Sequence, residues 1–201
     1  QTLLFKNLGI TKYFDTLKEM QNFTEKRVKN TPDEVWLLEH ESIYTYGIKT
    51  NINDIPNNIS LPILKSDRGG EITFHGPGQL IVYPLIDLKR RHMRPREFIS
   101  NFQEAILHSL SNYQTNLVIS NDEPGIYFDN KKIVSFGLKI TQKGTYHGAS
   151  INISMDLAPW KEIAICGNNQ IEAIDLETLG CKIPLSEIRD SINKKLAEKF
   201  E

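Results

Sequence analysis

RGGEITFHGPGQ, residues 68–79, carries four glycines, one proline, one histidine and one arginine. The run it belongs to, ITFHGPGQLIVYPLIDL, reads as a strand, a glycine-rich turn and a second strand. An ordinary hairpin needs one or two glycines, because only glycine takes positive φ without steric cost. The surplus predicts an unobstructed stretch of main chain at a sheet end, open to close approach.

Working outward, VWLLEH (35–40) and LPILKSD (61–67) are short apolar runs of strand character, separated by the Asn-rich loop NINDIPNN. Before them, Tyr13, Leu17 and Met20 recur at helical spacing, which predicts an amphipathic helix over 11–29 that stops at Thr31-Pro32. Pro95 takes a favoured first-turn position of a second helix, PREFISNFQEAILHSLSNY, with Phe98, Phe102, Ala105, Ile106 and Leu110 as its buried stripe. LVIS, GIYF, KIVSFGLKIT and TYHGASINISMD then read as consecutive antiparallel strands, joined in part by turns at Asp129-Asn130 and Lys143-Gly144. A last helix, Pro184 to Phe200, buries Leu185, Ile188, Ile192 and Leu196. Strands are grouped and helices flank them, so the pattern predicts α+β, with a mixed, mostly antiparallel sheet, in one domain over residues 1–201.

The bulk properties narrow the function. A formal charge of -1 and a pI near 6.6 argue against a nucleic-acid binder. No apolar run reaches the roughly 18 residues of a membrane span, and residues from Gln1 onward have no export-signal pattern, so a cytoplasmic location is expected. The two cysteines, Cys166 and Cys181, are too few for a disulfide framework, and no CxxC or HxxxH spacing suggests a metal.

Four residues stand out chemically. Cys166, in IAICGNN, follows a short apolar segment and precedes a glycine; its ordinary reading is a small buried hydrophobe. Lys132 opens the strand KIVSFGLK beside Lys131, and most such pairs are solvated hairpin lysines. His75 and His147 each precede a glycine, in FHGPG and YHGAS, and two such pairs at neighbouring sheet ends point to a shared pocket.

Taken together, RGGEITFHGPGQLIVYPLIDL, GIYFDNKKIVSFGLKI, YHGASINISMDLAPW and ICG resemble, in order and spacing, the octanoyltransferases of lipoate biosynthesis, the lipoyl(octanoyl) transferase family. The resemblance runs from about Glu34, through EHESIYTYG, to Gly167. It implies the fold of the biotin/lipoate ligase catalytic domain. It also implies an acyltransferase that moves an octanoyl group from octanoyl-acyl carrier protein, through a cysteine thioester, to a lysine of a lipoyl domain. The acceptors implied are the lipoyl domains of 2-oxoacid dehydrogenase E2 subunits and the glycine cleavage H protein, with no cofactor, metal, nucleic acid or membrane involved.

Carried over residue by residue, the family's nucleophile falls on Cys166 and its cysteine-activating lysine on Lys132. Its acyl-pocket segments fall on Arg68, Gly69, Gly70, Glu71, Ile72, Thr73, Phe74 and His75, on Ser135, Phe136 and Gly137, and on Gly148, Ala149 and Ser150. Cys181 and the Asn-rich loop have no counterpart in the pattern. On this reading Gly69, Gly70, Gly76 and Gly78 clear a path for the acyl chain. Most of a free cysteine is un-ionised at neutral pH unless a neighbouring cation favours the thiolate, and Lys132 supplies one. KRRHMRPR (89–96) packs five Lys or Arg into a nearly neutral chain and suits steering of acidic partners. The competing readings are an ATP-dependent lipoate or biotin protein ligase, and a non-catalytic module that binds lipoyl domains or carrier protein. HGPGQ after the double glycine, with Cys166 and Lys132 in place, favours the transferase.

Overall fold

A computed structural model describes residues 2–200. Seven strands build the main sheet: β1 (Leu3–Thr11), β2 (Asp33–His40), β6 (Gln79–Leu85), β7 (Val118–Ser120), β8 (Gly125–Phe128), β9 (Lys131–Ile140) and β10 (Thr145–Asn152). Their spatial order is β1-β2-β6-β10-β9-β8-β7, with β1 parallel to β2 and every other pair antiparallel. A second, three-stranded sheet sets β3 (Ile43–Tyr46) between β4 (Ile63–Lys65), parallel to it, and β5 (Ile72–His75), antiparallel to it. The mixed, mostly antiparallel α+β arrangement is the one expected.

Three helices cover the sheet: α1 (Tyr13–Glu25), α2 (Pro95–Leu110) and α3 (Leu185–Phe200). β2 shows why helices cover both faces. Val35 and Leu37 point into the core shared with Phe98, Phe102, Ile188 and Ile192 of α2 and α3, while Trp36 and Leu38 point into the core shared with Tyr13, Leu17 and Met20 of α1. The period-2 alternation of a strand delivers both sets from one short run. Among the described residues, no helix is long and apolar enough to cross a membrane.

Several boundaries differ from the sequence reading. α1 ends at Glu25, short of residue 29. β1 has no counterpart in the reading, because as an edge strand it is exposed along most of its length and lacks a clean alternation. The Asp129-Asn130 turn is present, and both residues take positive φ, 45° and 63°, as a two-residue hairpin loop requires.

KRRHMRPR divides into two parts. Arg90 Nη2 and Arg91 Nε lie 2.5 and 2.6 Å from the buried Asp33 carboxylate, which also binds Arg27 Nη1 at 2.9 Å. Two of the five basic side chains are therefore committed to an internal ion cluster, while Lys89, Arg94 and Arg96 stay exposed.

Candidate functional site

The GPGQ segment that joins β5 to β6 is a tight turn. Gln79 donates its N–H to the Gly76 carbonyl at 3.2 Å, Pro77 holds the second position, and Gly78 the third with φ of 85°. Proline followed by a positive-φ glycine is the signature of a type II turn. A Cβ at Gly78 would lie 1.8 Å from the Ser154 carbonyl oxygen, so no other residue fits.

The RGG half works differently. Arg68, 7% exposed, spends its guanidinium on neutral acceptors: Nε donates to Thr45 Oγ1, Nη2 to the Thr45 and Glu71 carbonyls, and Nη1 to the Gly69 carbonyl. These bonds clamp the loop between β4 and β5 against β3. The Gly69 N–H donates to the Leu138 carbonyl at 3.1 Å, and a Cβ on Gly137 would stand 3.0 Å from the Gly69 carbonyl. The glycines thus let main chain lie on main chain, and two of the four, Gly76 and Gly78, form the turn rather than a path for a ligand.

A cavity of about 480 Å³ opens between this loop, β9 and β10. Its lining includes Arg68, Gly69, Gly70, Glu71, Ile72, Thr73 and His75 from the loop and β5, Ser135, Phe136 and Gly137 from β9, Gly148, Ala149 and Ser150 from β10, and both Lys132 and Cys166. Phe74, expected in the acyl pocket, does not line the cavity. It packs with Ile72 against Tyr44 and Trp160 in a separate apolar cluster, on the face of β5 opposite Thr73 and His75. Of that cluster's β5 residues, only Ile72 also reaches the cavity. The sequence reading also missed Leu138, which follows Gly137 on β9, and Lys49, Tyr83, Ile99, Gln103 and the 121–124 segment, which reach the cavity from other parts of the chain.

Lys132 is 3% exposed, unlike the solvated hairpin lysine that its position suggested. A bulge sets it there. Ile126 pairs with Val134 and Tyr127 with Lys132, leaving Ile133 as the extra residue, and such an insertion re-aims the side chains beside it. The main chain of Lys132 is held from the far side, its N–H donating to the Glu172 carbonyl at 2.8 Å and its carbonyl accepting from Ile174 at 2.9 Å. Lys131 points the other way, to an exposed ion pair with Glu172.

Cys166 occupies a two-residue turn closed by the Asn168 N–H donating to the Ile165 carbonyl at 2.9 Å. Cys166 and Gly167 have φ of 52° and 68°. A positive φ at a non-glycine residue is strained, and such strain concentrates at functional sites. Asn168 Nδ2 ties the turn to Glu123 Oε1 at 3.0 Å, and Lys132 Nζ donates to Cys166 Sγ at 2.9 Å. Among the described residues, Lys132 forms no ion pair.

Beside the cavity lies a buried group of three histidines. His75 stacks on Tyr13, His40 meets the same ring edge-on, and His40 Nε2 is 2.8 Å from Tyr83 Oη. Burial lowers His40 to about 4, and lowers His75 and His147 in the same direction. The Asp67 carboxylate, which burial alone would raise, is held well below the usual range by hydrogen bonds from His147 and Tyr146. His147 therefore donates through Nε2, at 2.8 Å from Asp67 Oδ1, and its buried Nδ1 is a lone-pair acceptor without a hydrogen-bond partner among the described residues.

The chain matches the family model of the lipoyl protein ligase A/B catalytic domain over residues 12–197. It is 41% identical to an octanoyltransferase of Buchnera aphidicola subsp. Schizaphis graminum, over 98% of this chain and 92% of that protein. Two solved structures share the fold. One is a bipartite lipoate protein ligase from Thermoplasma acidophilum, described with its E2 lipoyl domain, with a TM-score of 0.75 at 13% identity over 98% of this chain and 82% of the other. The second is the biotin protein ligase of Aquifex aeolicus in complex with biotin and ATP, with a TM-score of 0.61 at 14% identity over 100% and 70%.

Proposed function

Because this chain belongs to the lipoyl protein ligase A/B catalytic-domain family, and within it to the octanoyltransferases, we propose that Cys166 is its nucleophile and Lys132 its acid and base. The donor in this reading is octanoyl-acyl carrier protein, and the acceptors are lipoyl domains of 2-oxoacid dehydrogenase E2 subunits and the glycine cleavage H protein. The observation that carries it is the 2.9 Å contact between Lys132 Nζ and Cys166 Sγ at the wall of a cavity also lined by aliphatic and glycine positions.

The thiolate is the reactive form of cysteine, and a largely buried ammonium needs a countercharge. Each group supports the charged form of its neighbour. The thiolate attacks the donor carbonyl, a carbon–sulfur bond to Cys166 forms, the bond to the carrier breaks, and the departing thiolate takes a proton from Lys132. Lys132, now neutral, accepts a proton from the incoming lysine ammonium, and the amine attacks the enzyme thioester. Lys132 is thus the acid in the first half and the base in the second. The aliphatic and glycine positions that line the cavity hold the acyl chain, whose seven buried carbons contribute roughly 5 to 6 kcal/mol before ordering costs.

Intact mass measurement after mixing the chain with octanoyl-acyl carrier protein, without ATP, tests this. One octanoyl adduct on Cys166 and none on Cys181 is expected. An adduct that requires ATP, or that maps to Cys181, overturns the assignment.

A further inference from the structure

The reaction just described leaves one proton without a destination. The acceptor nitrogen arrives as an ammonium and ends as an amide, so besides the bond to carbon it sheds two protons. The first goes to neutral Lys132. When the Cys166 thiolate departs, Lys132 is already charged again, and the second proton needs another acceptor close to the sulfur.

Glu71 occupies that position. It lines the same cavity as Cys166 and Lys132, and its carboxylate oxygens lie 2.7 and 3.5 Å from where a Cβ on Gly167 would stand, the residue joined to Cys166. Its backbone is fixed, the carbonyl accepting from Arg68 Nη2 at 2.7 Å and from the Gly47 N–H at 3.2 Å. Its carboxylate, in contrast, has no hydrogen-bond or ion-pair partner among the described residues. Glu123, the nearer rival on the 121–124 segment, already binds Asn168, and Asp122 is exposed on the rim. Gly167, with its positive φ and no side chain, is what allows the carboxylate to rest against the cysteine turn.

We propose that Glu71 is the receptor for the acceptor's lysine ammonium: it binds and orients that cation against the Cys166 thioester and takes the second proton, which its half-exposed position returns to solvent. This rests on the acyl-enzyme reading above. It also moves Glu71 from the acyl-chain wall to the amine channel, where a carboxylate suits a cationic substrate and an alkyl chain would not repay its desolvation.

The test separates the two half reactions. Wild type, Glu71→Gln, Glu71→Asp and Asp122→Asn are each acylated with a small octanoyl thioester, checked by intact mass, and chased with either a lipoyl domain or hydroxylamine, a neutral amine. Glu71→Gln should slow transfer to the lipoyl domain by about tenfold or more, with hydroxylamine cleavage within about twofold of wild type. Glu71→Asp should recover part of the loss, and Asp122→Asn should show little. Equal slowing toward both nucleophiles, or no slowing toward the lipoyl domain, overturns the inference while leaving the acyl-enzyme intact. A wild-type chain that never carries the adduct on Cys166 overturns the premise, and this inference with it.

Discussion

The Lys132 side chain on β9 passes so close to Gly125 on β8 that a Cβ on Gly125 would stand 2.4 Å from Lys132 Cε and 2.7 Å from the Val134 carbonyl. The missing side chain is the passage through which the lysine reaches Cys166. Gly125→Ala should displace the ammonium, lowering transfer by about tenfold or more and stability by about 1–3 kcal/mol. Transfer assays beside urea denaturation check this; a variant with wild-type turnover would show that the lysine position is immaterial.

Lys132 itself can be dissected. Lys132→Met should slow alkylation of Cys166 by iodoacetamide at neutral pH and depress both half reactions. Lys132→Arg keeps the charge but cannot give up its proton in practice, so it should restore alkylation more than transfer. Lys131→Met is the control, since that side chain points to the exposed Glu172. Identical profiles for the Lys131 and Lys132 variants would remove the lysine from the mechanism.

Three arginines converge on one buried carboxylate at Asp33. Removing the carboxylate leaves uncompensated charge in the interior, and Asp33→Asn should cost about 3–5 kcal/mol in chemical denaturation. Reversing Arg94 and Arg96 should instead spare the fold and slow association with an acidic donor protein, more so at low salt than at high. A loss of stability in the Arg94/Arg96 variant would place those side chains in the internal cluster as well.

Folding stability should fall as pH drops below about 6.5. His40 has a folded value of about 4, against 6.5 when free, so the unfolded chain binds the extra proton between those values and the stability is lost on the way down. His75 and His147 are lowered in the same direction and add to the slope, each by up to about 1.4 kcal/mol per pH unit. Urea titrations at pH 7.5, 6 and 5 measure it, and His40→Asn should flatten the curve. A stability that rises toward pH 5 would mean that the histidines are charged when folded.

Much of this protein was already legible in its sequence wherever local chemistry decides the outcome. The three helices follow from apolar spacing, the Asp129-Asn130 turn from residues that tolerate positive φ, and the transferase family from RGGEITFHGPGQ, the Lys132 strand and ICG. Other features had no local signal. β1 is a strand because β2 offers it a parallel partner, and its exposed residues lack a buried face to mark them. KRRHMRPR looks uniformly solvated until Asp33, more than fifty residues earlier, draws in Arg90 and Arg91. Phe74 and Thr73 are neighbours in one motif, and only the pleat of β5 turns one toward the Tyr44 cluster and the other toward the cavity. Lys132 and Cys166 are 34 residues apart. The bulge at Ile133, the space at Gly125 and the strained turn at Cys166 bring them into contact, and each of these depends on packing against segments far away in the chain.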